Sequence, residues 1–169
     1  MVDKPNITIM GAGAWGTSIA LLLVRNAYKV KLWANTKHLY NELKRNNENI
    51  SFFPGYPIPN EVAIEFDPLT VVSGADILIT AVPGNYLRKA ARIVVPYLEN
   101  KIEVLSVSKG IEFDTSCTMS QVLMQEWSLD EQRIAVLSGP NFAKEVAQQM
   151  PTASVIASKS LALAKKLQN

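Results

Sequence analysis

The stretch Asn6-Ile7-Thr8-Ile9-Met10-Gly11-Ala12-Gly13-Ala14-Trp15-Gly16-Thr17 constrains the fold more than any other part of the chain. Ile7 and Ile9 recur at strand spacing before the glycines, and Ile19, Leu22 and Leu23 recur at helical spacing after them. A strand, a glycine turn and a helix in that order open a dinucleotide-binding unit. Gly11 suits the tight turn, Gly13 lets backbone approach a diphosphate, and Gly16 permits close packing of helix on strand. The phosphates would rest on free backbone N–H groups at the positive end of the helix dipole.

At 169 residues, 48% hydrophobic and 19% charged, the chain suits one folded domain. A net charge of +2 argues against nucleic acid or an anionic membrane surface as the principal partner, so attraction for a phosphorylated ligand must be local. The apolar run from Ile19 to Val24 is too short to span a bilayer, and Met1-Val2-Asp3-Lys4 lacks the form of a signal peptide; a cytoplasmic location is expected. Cys117 is the single cysteine, which rules out an internal disulfide and a cysteine metal cluster and reads as a small buried hydrophobe. The single histidine, His38, lies in a polar segment and reads as a surface residue, so no metal site is expected.

Taken in order, the first helix stops at Arg25-Asn26, where Asn tolerates a left-handed conformation, and Lys29 to Ala34 forms a second strand. Its end, Asn35-Thr36-Lys37, carries no acid to bind an adenosine ribose, so a 2′-phosphate would meet no repulsion; Lys37 suits either a contact to that phosphate or a solvated helix start. Leu39 to Asn47 reads as a short polar helix. The prolines and glycine of Phe52 to Pro59 predict a packed irregular loop. Val62, Ile64 and Phe66 alternate as a strand, and Asp67-Pro68 opens a short helix. Asp76 to Val82 is a nearly continuous apolar run, as expected of a parallel strand covered on both faces, and it stops at Pro83-Gly84. The following helix, Asn85 to Tyr97, turns Leu87, Ala90, Ala91 and Val94 inward; Tyr86 at its start suits either a nucleotide cover or a core or rim aromatic.

Glu103 to Ser108 predicts a strand delivering Lys109-Gly110, and a lysine at that position is a site candidate. A helix from Ser116 to Trp127 and a strand from Arg133 to Leu137 lead to Ser138-Gly139-Pro140-Asn141-Phe142-Ala143, which repeats the logic of the first turn, with Pro140 suited to a first helical position and Asn141 to a cap. Pro151 to Ala157 reads as a seventh strand, and Ser158 or Ser160 caps a helix from Leu161 that ends with the chain, as a truncated polypeptide would. The alternation specifies a doubly wound, mostly parallel Rossmann-like sheet of about seven strands, with the site loops gathered along one edge. Residues 1–157 are expected to form the dinucleotide-binding domain and 158–169 to begin a connecting helix. Lys109 alone cannot orient a substrate, hold its charge and shuttle its proton, which calls for a second domain.

The blocks Gly11 to Thr17, Leu32-Trp33, Phe53-Pro54-Gly55, Ala81-Val82-Pro83, Ser108-Lys109-Gly110, Leu137 to Val146 and Pro151-Thr152-Ala153 together resemble NAD(P)-dependent glycerol-3-phosphate dehydrogenase of the bacterial type, in the family's order and over nearly the whole chain. The resemblance implies interconversion of dihydroxyacetone phosphate and sn-glycerol 3-phosphate for glycerophospholipid synthesis, with NAD(P)H as coenzyme and NADP versus NAD left open. It implies coenzyme contacts from Gly11, Gly13, Ala14, Trp15, Gly16, Asn35, Tyr86, Lys109 and Ala143, and substrate contacts from Lys109, Gly139 and Asn141. Ala14, Asn35, Gly84 and Asn141 depart from residues frequent in the family. Its helical second domain, with the main proton-transferring lysine, lies outside this sequence; a homodimer is an assembly the resemblance allows. Two other readings stand beside it: a noncatalytic dinucleotide-binding or sensing module, and the coenzyme domain of another hydroxy-acid or keto dehydrogenase.

Overall fold

Strands with apolar residues on both faces need helices on both sides, and the chain provides them. The computed structural model describes residues 4–168; residues 1–3 and 169, on which the leader and chain-end readings partly fall, lie outside the described residues. The elements in chain order are β1 (Asn6–Met10), α1 (Ala14–Arg25), β2 (Lys29–Trp33), α2 (Lys37–Asn46), β3 (Glu48–Asn49), β4 (Phe53–Pro57), β5 (Val62–Glu65), α3 (Pro68–Val72), β6 (Ile77–Thr80), α4 (Gly84–Val94), β7 (Glu103–Ser106), α5 (Met119–Trp127), β8 (Ile134–Ser138), α6 (Ala143–Ala147), β9 (Val155–Ser158) and α7 (Leu161–Gln168).

Seven strands form one sheet in the order β5-β2-β1-β6-β7-β8-β9, parallel throughout except for the antiparallel edge pair β8 and β9. One face is covered by α1, α2 and α7, with Ile9, Leu32, Ile79, Ile19, Leu43 and Leu163 buried between. The other carries α3, α4 and α5 over Met10, Leu78, Val104, Leu87 and Leu123. The inward positions expected of α4, namely Leu87, Ala90, Ala91 and Val94, are all buried. Strand order reverses between β1 and β6, and ligands of open parallel sheets bind outside the carboxyl ends at such a switch.

Several boundaries differ from the sequence expectation for local reasons. Within 52–59, residues 53–57 are not irregular: β4 pairs antiparallel with β3 through a register shift, and its prolines sit on a two-stranded ribbon where few ladder N–H groups are needed. The left-handed residue after α1 is Ala27 (φ 57°); Asn26 keeps φ at −91° and turns its amide back onto the Leu22 carbonyl. Helix α2 begins two residues early because the Thr36 hydroxyl accepts from Leu39 N–H. Helix α5 begins three residues late, where Thr118 and Gln121 form a reciprocal capping box. Pro96 tightens the end of the α4 segment into a 3-10 turn, Val95–Tyr97. The seventh strand starts only at Val155, and Ser160 caps α7.

Candidate functional site

The first turn packs to the limit of what glycine allows. A Cβ on Gly11, whose φ is +111°, would stand 2.7 Å from the Ala81 carbonyl oxygen, and one on Gly16 would stand 1.9 Å from that of Gly11. Nothing lies within 4 Å of the Cβ position at Gly13. Gly13 is the N-cap of α1, no side chain caps that helix, and no acid lies in its first turn. The free N–H groups at this helix start therefore have neither a protein acceptor nor a repelling carboxylate, the arrangement that suits a diphosphate.

The turn is held from a distance. Asn49, buried in the β3–β4 ribbon, donates through Nδ2 to the Ala12 carbonyl at 2.9 Å and to Thr17 Oγ1 at 2.8 Å. Sequence reasoning missed Asn49, because only the ribbon brings it across 37 residues to the glycine turn. Ser18 Oγ donates to the Ala143 carbonyl at 2.8 Å and so ties α1 to the start of α6. Ser108 Oγ donates to the Thr80 carbonyl and accepts from Val82 N–H, clamping the ends of β6 and β7.

Beside the turn opens a cleft of about 510 Å³ whose walls include Trp15, Pro83, Gly84, Lys109, Asn141 and Ala143. Lys109 leaves the end of β7 and its Nζ donates to the Gly139 carbonyl at 3.2 Å, which joins the fifth and sixth strand ends of the parallel sheet. Two residues that line the cleft, Trp15 and Asn141, each carry a buried polar atom without a partner, the indole N–H and Oδ1, as do the Thr80 and Ser106 hydroxyls at the ends of β6 and β7.

Asn141 does not cap a helix. Its Nδ2 faces Thr152 Oγ1, the Ala153 carbonyl and Ser154 Oγ at 2.8–3.1 Å, and the cap position of α6 falls to Phe142. Pro140 likewise precedes the helix instead of opening it. The Ala153 carbonyl can only accept, which orients the amide with Oδ1 away from it. Of the other expected residues, Ala14 packs at the start of α1 near Phe53 and Ala147. Asn35 is exposed just past β2, and Tyr86 is 62% exposed on the first turn of α4, a rim position; neither lines the cleft. Lys37 opens α2 and is exposed. Cys117 is half-buried and accepts from Gln125 Nε2, and His38 is exposed.

Behind Lys109 lies an ion cluster that the sequence reading also missed. Arg88 of α4 forks onto Glu112 through Nε at 2.8 Å and Nη2 at 2.6 Å, and reaches Glu126 of α5 through Nη1 at 2.5 Å. Arg92 completes it on Glu126. The Arg88 guanidinium, followed by the Thr115 hydroxyl, holds the Glu112 carboxyl down at about 2, while Arg92 and then Arg88 hold Glu126 below the usual range. Among the described residues no group of His, Cys, Asp and Glu could hold a metal ion, and no helix is long and apolar enough to cross a membrane.

Comparison with known proteins agrees with this geometry. A family model described as the NAD-dependent glycerol-3-phosphate dehydrogenase N-terminus matches residues 6–164. The chain is 39% identical over 164 residues to glycerol-3-phosphate dehydrogenase (NAD(P)+) of Corynebacterium aurimucosum, covering 97% of this chain and 49% of that protein. The corresponding protein of Chlorobium phaeobacteroides is 38% identical, with 96% and 49% covered. The crystal structure of glycerol-3-phosphate dehydrogenase from Coxiella burnetii superposes with a TM-score of 0.90 at 30% identity, covering 97% of this chain and 50% of that one. The chain thus spans about half the length of the curated relatives it matches.

Proposed function

The chain belongs to the family of NAD-dependent glycerol-3-phosphate dehydrogenase N-termini, and on that premise we propose that it is the coenzyme-binding half of an enzyme interconverting dihydroxyacetone phosphate and sn-glycerol 3-phosphate. The observation that carries this reading is the uncapped start of α1 at Gly13 beside a cleft shared by Trp15, Lys109 and Asn141. Gly11, Gly13, Ala14 and Gly16 hold the diphosphate, Trp15 and Ala143 wall the nicotinamide side, and Asn35 and Tyr86 stand at the rim. The absence of an acid after β2 leaves room for NADP as well as NAD.

When bound, the coenzyme supplies or takes the hydride at the substrate's central carbon. The residues of this chain orient and polarise. Lys109 places an ammonium where the carbonyl oxygen of dihydroxyacetone phosphate gains negative charge, and the Gly139 carbonyl keeps that ammonium at the cleft. Asn141 forms part of the wall against which the substrate sits. The proton itself is handled by a group from the second half, residues 158–168 leading towards it. A cytoplasmic location and a homodimer accompany this reading.

Calorimetric titration of the chain with NADPH and NADH tests it, with saturable binding of at least one expected and no heat from either overturning it. In an enzyme carrying both halves, Lys109→Ala should raise the barrier by about 3 kcal/mol, the scale of a lost donor to a developing oxyanion. Unchanged turnover would remove Lys109 from the mechanism.

A further inference from the structure

The loop that follows Lys109 has little apolar burial to hold it. Ile111 is 65% and Phe113 97% exposed, and Gly110, at φ +109°, places a flexible joint directly after the lysine. Only one isolated bridge, Ile111 to Thr118, gives this loop regular pairing. Its polar anchoring converges on Glu112. The backbone N–H of Glu112 donates to the Cys117 carbonyl and its own carbonyl accepts from Ser116, while its carboxylate takes the Thr115 hydroxyl and the Arg88 fork. Helices α4 and α5 do not need this cluster to stay together, since Leu87, Ala91, Val94, Val122 and Leu123 are fully buried between and beneath them and Trp127 Nε1 donates to the Ala91 carbonyl. The loop does need it.

The cluster also reaches the other wall of the cleft. Arg88 lies one helical turn after Gly84, whose Cβ position is 3.4 Å from the Lys109 carbonyl oxygen, so the first turn of α4 lies beside the lysine's backbone and the next turn holds its loop. A forked, charge-assisted contact fixes direction as well as distance.

We propose that Arg88 and Glu112 are positioning residues: by fastening the loop 110–118 to α4, they aim the Lys109 side chain into the coenzyme cleft. This rests on the assignment of Lys109 to the coenzyme site made above. Glu126, with Gln125 beside it, holds the second side of the Arg88 fork and keeps the guanidinium from swinging away from Glu112.

A double-mutant cycle on the NADPH dissociation constant, read by energy transfer from tryptophan to the reduced nicotinamide, tests the inference in the whole chain. Arg88→Ala should weaken NADPH roughly fivefold to tenfold, the scale of coupling within one hydrogen-bond network, and should have almost no further effect when Lys109 is already alanine. An equal loss in both backgrounds, or none in the first, overturns the inference and leaves the Lys109 assignment standing. An unchanged constant in Lys109→Ala alone overturns that assignment and this inference with it. Arg88→Lys keeps the charge but loses the fork, so it guards against a folding defect in the alanine variant; it should fall between wild type and Arg88→Ala, and wild-type affinity in Arg88→Lys would overturn a role for the fork.

Discussion

Two turns at the carboxyl edge of the sheet share a sequence logic and part ways in the structure. At Gly11 to Gly16 the chain leaves a strand and enters a twelve-residue helix whose first N–H groups have no side-chain partner. At Gly139 to Ala143 it enters a helix of five residues, and the one polar side chain of the turn is spent on Thr152, Ala153 and Ser154 of the lead into β9. The first turn leaves its backbone N–H groups free and is the anion site of the proposed reading. The second is a bracket that presents a carbonyl to Lys109 and keeps the Asn141 amide oxygen buried. A glycine turn before a helix suits a phosphate where the helix start is left empty and the helix is long enough to sum its dipoles.

The largest effect that can sharpen this contrast lies within the first turn itself. Gly16→Ala forces a methyl group onto the Gly11 carbonyl and should cost about 3 kcal/mol of stability in urea titration, at the upper end of overpacking penalties. Gly13→Asp enters open space at a cap position, so stability should hold or rise by a few tenths of a kcal/mol. The same change puts a carboxylate where the diphosphate belongs, and NADPH affinity should fall by about tenfold or more, a charge-repulsion effect that salt partly relieves. Wild-type affinity in Gly13→Asp would erase the distinction between the turns.

Asn141→Ala should behave differently, losing stability and substrate contact together. It strands the Ala153 carbonyl in a part-buried site, with an expected cost of about 1–2 kcal/mol by urea titration. Intact stability would mean that the bracket is held by backbone alone.

The smallest effect separates the two sides by pH. The first turn of α1 has no acid, whereas the Lys109 loop hangs on Glu112, whose carboxyl is held at about 2 against an ordinary 4.5. A carboxyl lowered on folding stabilises the fold above its unfolded pKa, and that contribution is lost as pH falls from about 4.5 towards 2. Amide exchange at 110–118 should therefore accelerate, relative to the intrinsic rate, on acidification from pH 5 to 3 while the amides of 18–21, inside α1, stay protected. In Arg88→Ala this acid response should be largely gone, because Glu112 then has little left to lose.

The alternation of strands and helices was legible because it is local. Ile7 and Ile9, the run at Ile77 to Thr80, and Leu87 with Ala90, Ala91 and Val94 carry their periods within single elements, and the structure buries them as those periods require. The glycine spacing was legible for the same reason, as contacts between Gly11 and Gly16 stay inside one turn. Thr36, Asp67 and Thr118 show that caps are readable too, although the sequence reading used only the second, at the start of α3.

What the sequence determined by itself is the succession of elements, the burial of their apolar faces and the presence of a strand-to-helix glycine turn, all set by forces acting over a few residues. The tertiary structure alone decided which edge contacts serve the site. Asn49 reaches Ala12 across 37 residues, Arg88 reaches Glu112 across 24, and Asn141 turns away from its own helix towards Ser154. Such pairings depend on which strands become neighbours, and a polar side chain with several possible partners follows the geometry that packing leaves to it.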